Sequence, residues 1–486
     1  MRTVRSVAVL LALVAAATGC TGGGSGGPAP APPATAGGIS GRTVPGGGPT
    51  LGAKWDWSRA DRFSPYLERL PAGATFYELV WCDVERERGH ADWSTPDRVV
   101  RAARQLGYAM FLKLRVGSCW ATREPGGERR GVKGKTASAM PADLDAYRTW
   151  VGLAVRRYAA LGVREYAIEN EVNAANFWAG SPAEYERLAV VAAAAVRAAD
   201  PHAVVVDCGI SSTAYGVAIA DDLLRRGRGA EAVAAYQRYY TRRLQRRGRA
   251  FPVVSGEAGL RAVLGGQEAR RSLAFLEVTN RLVVRRVVDV RQLHFYEAWD
   301  NLPALLAYVR AAGPPGFPLQ AWEVGMFWPD GSGDAATRAG ELVKTASLLL
   351  AAGVRPLIWL PLAFDPGGRH DDEPRYGLLE PDGTARPAGV AFERLAAAAT
   401  GAASWEGVAG RDVAGVVFAR GSAGTLVVWS PRGAGPQLKP RPGGRAQRLT
   451  GEQVAWGRDG LRIGAEPLLL TLPDGADGAA ALERAR

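Results

Sequence analysis

The sequence predicts an α/β protein, a (β/α)8 TIM barrel followed by a small antiparallel β-sandwich. Three observations carry this reading. From about residue 75 to 400, short apolar runs alternate with segments whose apolar residues recur at three- and four-residue spacing, the pattern of βαβ units with both sheet faces covered. Eight such units in about 350 residues match a barrel with insertions. No glycine-rich phosphate fingerprint follows the first strand, although an open doubly wound sheet would carry one. Beyond residue 401 the helical rhythm stops and short strands around Gly-rich turns take over.

The elements follow in order. The opening strand lies near TLGAKWDW (50–57), then TFYELVW (75–81) precedes the helix DRVVRAARQLG. AMFLKLRV (109–116) is the third strand, with the helix DAYRTWVGLAVRRYAALG after it. EYAIEN (165–170) is the fourth and HAVVVDCG (202–209) the fifth, separated by AEYERLAVVAAAAVRAA. RQLHFY (291–296), PLQAWEV (318–324) and RPLIWLPL (355–362) are strands six to eight, and PAGVAFERLAAAA is the last barrel helix. The barrel thus spans 51–400. In 401–486, DVAGVVFARGSAGTLVVWS reads as two strands about a Gly-Ser-Ala-Gly turn.

The first fifty residues belong to neither domain. Arg2 and Arg5, the apolar run VAVLLALVAAA and Ala17-Thr18-Gly19-Cys20 form a secretory leader (1–20). The small residues before Cys20 resemble a bacterial lipobox, with Ala17 where Leu is usual, so Cys20 is the expected lipidation site. Residues 21–50 are Gly, Pro, Ala, Ser and Thr rich and read as a flexible tether. Gly23-Gly24-Ser25-Gly26-Gly27 there matches the nucleophile-elbow pattern but lacks its strand and helix. The chain is expected to be exported and held to a membrane by lipid alone. Export permits a disulfide, and of Cys82, Cys119 and Cys208 the pair expected is Cys82–Cys119.

Chemistry in a TIM barrel sits at the C-terminal strand ends. There strand four offers Asn170-Glu171, strand six His294 and Tyr296, strand seven Trp322-Glu323, and strand eight Trp359. Asn173 and Trp178 follow strand four closely. Two carboxylates facing one opening are what glycosidic cleavage needs, one to protonate the departing oxygen and one to attack the anomeric carbon or activate water. Flat aromatics suit sugar rings, and Asn, His and Tyr suit hydroxyls. Each dipeptide alone is noise; their joint placement is the signal. The spacing fits no zinc motif, and no metal or other cofactor is expected.

The stretch NEVNAANFWAGSPAEYERL (170–188), with WCDVERERGHADWSTPDRVVRAARQLG (81–107), resembles clan A retaining glycoside hydrolases, and within them family 39, the β-xylosidase/α-L-iduronidase group. The resemblance covers roughly 50–400. It implies that Glu171 is the acid/base and Glu323 the nucleophile. It further implies that Asn170 binds the sugar 2-hydroxyl, Tyr296 hydrogen-bonds the nucleophile and Trp359 floors the sugar pocket. Val172 departs from the usual Pro. Glu169 would share a strand face with Glu171, and the Asn-Glu pair favours Glu171. The alternative is a surface carbohydrate-binding barrel without turnover.

The formal charge is +12, and much of it falls on loops expected at the catalytic face. These are Arg123, Arg129, Arg130, Lys133 and Lys135 after strand three. In a helical insertion over 211–270 they are Arg225, Arg226, Arg242, Arg243, Arg246 and Arg247, with Tyr236, Tyr239 and Tyr240 among them. A positive rim concentrates anionic ligands, so an acidic glycan is one expected partner beside neutral carbohydrate. No nucleic-acid module occurs, and the oligomeric state is left open.

Overall fold

The computed structural model describes residues 51–123, 137–245, 251–326, 334–363 and 377–476, with 478, 480 and 482 beyond them. Cys20, the leader, the tether, and the basic residues Arg129, Arg130, Lys133, Lys135, Arg246 and Arg247 lie outside the described residues.

Eight parallel strands build the barrel: β1 (Leu51–Ala53), β2 (Ala74–Val80), β3 (Ala109–Arg115), β4 (Glu165–Ile168), β5 (Val204–Val206), β6 (Arg291–Phe295), β7 (Leu319–Val324) and β8 (Leu357–Trp359). They pair in the order β5-β4-β3-β2-β1-β8-β7-β6. Parallel bridges Val206↔Val290 and Ile210↔Leu293 close the ring between β5 and β6. Alternation sorts the side chains. Ala74, Phe76, Phe111, Ala167, Val206, Trp322 and Ile358 fill the interior, whereas Leu51, Leu112, Ile168, Leu357 and Trp359 pack against the helices outside. The strands are therefore largely apolar on both faces, which is why most read as apolar runs with few polar interruptions.

The insertion is helical, as expected, with helices Ser212–Arg225, Gly229–Tyr239 and Glu257–Leu264 ahead of the long helix Gln267–Val284. Its tyrosines are internal: Tyr240 stacks on Phe251 with ring centroids 3.9 Å apart, and Tyr239 Oη donates to the Ser212 carbonyl at 2.7 Å. Arg243 is buried against Glu297, just beyond β6, at 2.7 Å, so the insertion is tied to the barrel at its catalytic end. Cys82 and Cys119 form a disulfide with Cα atoms 5.6 Å apart, joining the segments that follow β2 and β3. Cys208 is free and buried.

Beyond the helix Pro387–Ala399, the chain forms β9 (Ser404–Ala409), β10 (Ala414–Arg420), β11 (Ala423–Trp429), β12 (Ala434–Leu438), β13 (Arg445–Arg448), β14 (Gln453–Val454), β15 (Leu461–Gly464) and β16 (Leu468–Leu472). An antiparallel sheet β14-β13-β16-β11-β10-β9 faces the ribbon β12-β15. Arg420 pairs with Ala423, so the hairpin turn is Gly421-Ser422 alone, with Gly421 at φ 61°, the left-handed geometry a two-residue hairpin needs. Val417, Leu426 and Val428 point into the sandwich with Leu438 and Ile463, while Val416, Phe418, Val427 and Trp429 turn to the barrel. Trp429 meets Trp299 edge-on at 5.8 Å. Among the described residues, no helix is long and apolar enough to cross a membrane.

Candidate active site

β4 stops at Ile168, and the next residues leave extended geometry. Glu169 and Glu171 have φ values of 67° and 41°, a conformation that costs a non-glycine residue about 1–3 kcal/mol unless its surroundings impose it. They do. Glu169 N donates to the Leu114 carbonyl at 3.0 Å, and Glu171 N to those of Cys208 (3.2 Å) and Gly209 (3.0 Å). From the insertion side, Arg271 donates to the carbonyls of Val172, Asn173 and Trp178 at 3.0, 2.9 and 2.7 Å. The same-face expectation for Glu169 and Glu171 fails because the strand has ended. Glu169, wholly buried, accepts from Val116 N at 2.7 Å and stands 3.5 Å from Arg115 Nε. Glu171 turns instead to His294, whose Nδ1 lies 3.0 Å from its Oε1.

Glu323 reaches the same point by a different device. Between Gln292↔Gln320 and His294↔Glu323 the register with β6 advances two residues on β6 and three on β7. This bulge re-aims a side chain. Trp322 stays in the interior, stacked on Phe111 at 5.0 Å and Phe76 at 6.5 Å, and Glu323, which strict alternation would turn outward, also faces in. Its Oε2 accepts from Tyr296 Oη at 2.9 Å and its Oε1 from Lys113 Nζ at 2.6 Å. Lys113, fully buried on β3, also donates to Asn170 Oδ1 at 2.6 Å and lies 4.2 Å from the centre of the Phe76 ring. Asn170 Nδ2 has no hydrogen-bond partner among the described residues.

Burial pushes the Glu323 carboxyl up, but the positive field of His294, then that of Lys113 and its hydrogen bond, outweighs it. Glu323 is held below the ordinary carboxylate range. The Gln292 amide nitrogen donates to the Asp207 carbonyl, so its Oε1 faces His294 Nε2 at 3.2 Å, and Lys113 Nζ stands 3.5 Å from the same nitrogen. Glu171, His294 and Glu323 each offer one donor atom within 4.8 Å of the others, a grouping that could hold a cation. Lys113 already supplies a positive charge at Glu323 Oε1, and a metal ion there would meet the ammonium.

Gly209 supports this arrangement from below. Its φ is 61°, and a Cβ there would lie 2.2 Å from His294 Nε2. Gly209→Ala is expected to displace His294 from Glu171, read as a shifted His294 imidazole resonance in NMR, with the far-UV circular dichroism unchanged.

No protein-family model matches the chain, and no curated protein does either. Solved structures do. A family 39 glycoside hydrolase from the gut symbiont Bacteroides cellulosilyticus WH2 superposes with a TM-score of 0.58 at 14% identity, over 87% of this chain and 80% of its own. A monomeric β-xylosidase from Caulobacter crescentus CB15 gives 0.54 at 15%, over 88% and 97%. A family 30 subfamily 8 xylanase from Clostridium acetobutylicum gives 0.51 at 10%, over 89% and 97%. These likenesses show a shared fold.

In this barrel the structure gathers Asn170, Glu171, His294, Tyr296 and Glu323, and leaves the other expected residues elsewhere. Trp359 is wholly buried on the outward face of β8, 6.2 Å from Phe392, because alternation assigns the interior to Ile358. Trp322 is floor beneath the carboxylates, fully covered, with Nε1 donating to Gln320 at 2.6 Å. Trp178 is buried against Tyr185 at 6.2 Å, and Asn173 is engaged with Ser211 at 2.8 and 3.1 Å. None of these four presents a free face to a sugar. Trp120, in the segment after β3, is 38% exposed. Among the described residues the basic rim is partly neutralised. Arg225, Arg226, Arg242 and Arg243 pair with Asp221, Asp222, Glu341 and Glu297 at 2.7–2.9 Å.

Lys113, Gln292 and Arg115 went unnoticed in the sequence. The available signal was an ionisable or amide side chain inside an otherwise apolar strand, at the positions that alternate with Phe111 and His294.

Proposed function

We propose that the protein is a retaining glycoside hydrolase working by double displacement, with Glu323 as nucleophile and Glu171 as acid/base. The observation that carries this is the carboxylate pair. An oxygen of each lies within 4.8 Å of the other, the close approach that a retaining pair, with carboxyl groups ~5–5.5 Å apart, requires. The environments differ as the two roles demand. Glu323 is held below the ordinary carboxylate range by His294 and Lys113, whereas Glu171 turns to His294 Nδ1 at 3.0 Å.

In the first step a Glu323 oxygen bonds to the anomeric carbon while the leaving oxygen takes the proton from Glu171. In the second, Glu171 takes a proton from water, the water oxygen bonds to the anomeric carbon, and the Glu323 carboxylate departs. Asn170 Nδ2, buried and unpartnered, suits a sugar hydroxyl. The solved structures of this fold include a β-xylosidase and a xylanase. Arg225, Arg226, Arg242 and Arg243 of the insertion are matched by acids of their own, so neutral β-xylosides and xylan are the first probes, ahead of uronate-rich polymers. Proton NMR of the hydrolysis tests the reading: the first product anomer should retain the configuration of the substrate, and inversion would overturn it.

A further inference from the structure

The site contains a cation that the two-carboxylate chemistry does not itself require. Lys113 is fully buried, and its Nζ makes short bonds to two groups with separate tasks, Glu323 Oε1 and Asn170 Oδ1, both at 2.6 Å. It comes from β3, whereas Asn170 follows β4 and Glu323 lies on β7, so a single ammonium ties three strands together. A buried cation with no charged partner is costly, and here Glu323 is that partner. By taking Asn170 Oδ1, Lys113 also leaves Nδ2 as the one group of that amide free of a partner.

Resting on the glycosidase reading above, we propose that Lys113 is a positioning residue that keeps Glu323 ionised, aims Asn170 Nδ2 at the substrate and speeds the second displacement. Tyr296 holds Oε2, which lies 3.6 Å from His294 Nδ1 on the side of Glu171. When Oε2 bonds to the anomeric carbon, Oε1 becomes the ester carbonyl oxygen and keeps its bond to Lys113. The positive charge is not stranded: Glu323 loses its negative charge as Glu171, giving up its proton, gains one. On hydrolysis the electron pair of the breaking C–O bond returns to Glu323, and Lys113 stabilises the carboxylate as it leaves. The cation therefore favours departure of the carboxylate more than its attack.

The groups facing Glu323 are Lys113 on β3, Tyr296 and His294 at the end of β6, Glu171 beyond β4 and Glu78 on β2, whose charge opposes its ionisation. Lys113→Met and Lys113→Gln remove the positive charge, and the second keeps a polar group should the first fail to fold. Carboxyl 13C NMR on glutamate-labelled protein, with the Glu323 resonance assigned by its absence in Glu323→Gln, reads the ionisation without any turnover. Glu323 is expected to half-titrate at a proton concentration about tenfold lower, or less, in the folded variants. A stopped-flow trace on an aryl xyloside should then gain a burst of about one equivalent, as deglycosylation slows about 10²-fold. An unchanged Glu323 titration in folded Lys113→Gln would overturn the proposal. So would a raised titration with the burst absent in a variant that still turns over. Failure of the unsubstituted protein to cleave any glycoside would instead count against the glycosidase reading, with the titration still deciding what Lys113 does to Glu323.

Discussion

Glu323→Gln is expected to lower kcat/KM by at least about 10⁴-fold on every substrate, however good its leaving group. The amide keeps the shape of the side chain but cannot bond to the anomeric carbon, and the ammonium of Lys113 then faces a neutral oxygen. Glu171→Gln should behave differently. With a sugar as leaving group the loss should reach about 10²–10⁴-fold, the usual contribution of proton transfer. With an activated aryl group the first step needs little protonation, so glycosylation should be nearly spared and the covalent intermediate should accumulate. Steady-state and burst kinetics of both variants on the two substrate types check this. Equal losses on both substrates for Glu171→Gln would remove it from the acid role.

The largest effect on stability is expected at Arg115. This guanidinium, almost fully buried, donates to Glu78 at 2.7 Å, Ser138 Oγ at 3.2 Å and the Phe177 carbonyl at 3.3 Å, and lies 3.5 Å from Glu169. Arg115→Met removes the positive partner of two carboxyls, one of them wholly buried, and should cost about 3–5 kcal/mol in urea unfolding at neutral pH. Burial already pushes the Glu169 carboxyl up against the opposing pull of Arg115 and the Val116 amide, so losing Arg115 raises it further. A carboxyl whose folded value is raised costs nothing below its unfolded value and destabilises as pH rises through the folded one. The deficit of Arg115→Met should therefore shrink as pH falls toward the ordinary carboxylate range, and grow above it.

Much of the barrel was legible because parallel strands covered on both faces are mostly apolar. The chemical pattern was legible where a polar side chain stood at a strand end, as with Asn170, Glu171, His294 and Tyr296. What escaped was direction. Nothing in PLQAWEV announces the extra residue that brings Trp322 and Glu323 to the same side, since the bulge exists only in the pairing with β6 and β8. Trp359 stands at a strand end as the site residues do, yet alternation faces it outward. The end of β4 at Ile168, rather than at Asn170, separates Glu169 from Glu171 and gives Glu169 to Arg115. The insertion's charge was partly legible after all, because Asp221 and Asp222 stand four residues before Arg225 and Arg226, the spacing of helical ion pairs. The partners of Arg242 and Arg243, Glu341 and Glu297, are distant in sequence and could be found only in the fold.

Covalent trapping tests the central claim most directly. A 2-deoxy-2-fluoro glycoside of the sugar that the protein cleaves best, carrying a good leaving group, should form a stable adduct of one sugar per chain. Peptide mass spectrometry should place it on Glu323, with no adduct in Glu323→Gln and continued labelling in Glu171→Gln. An adduct on Glu171 or Glu169, or turnover of the parent glycoside with inversion and no adduct, would contradict the assignment.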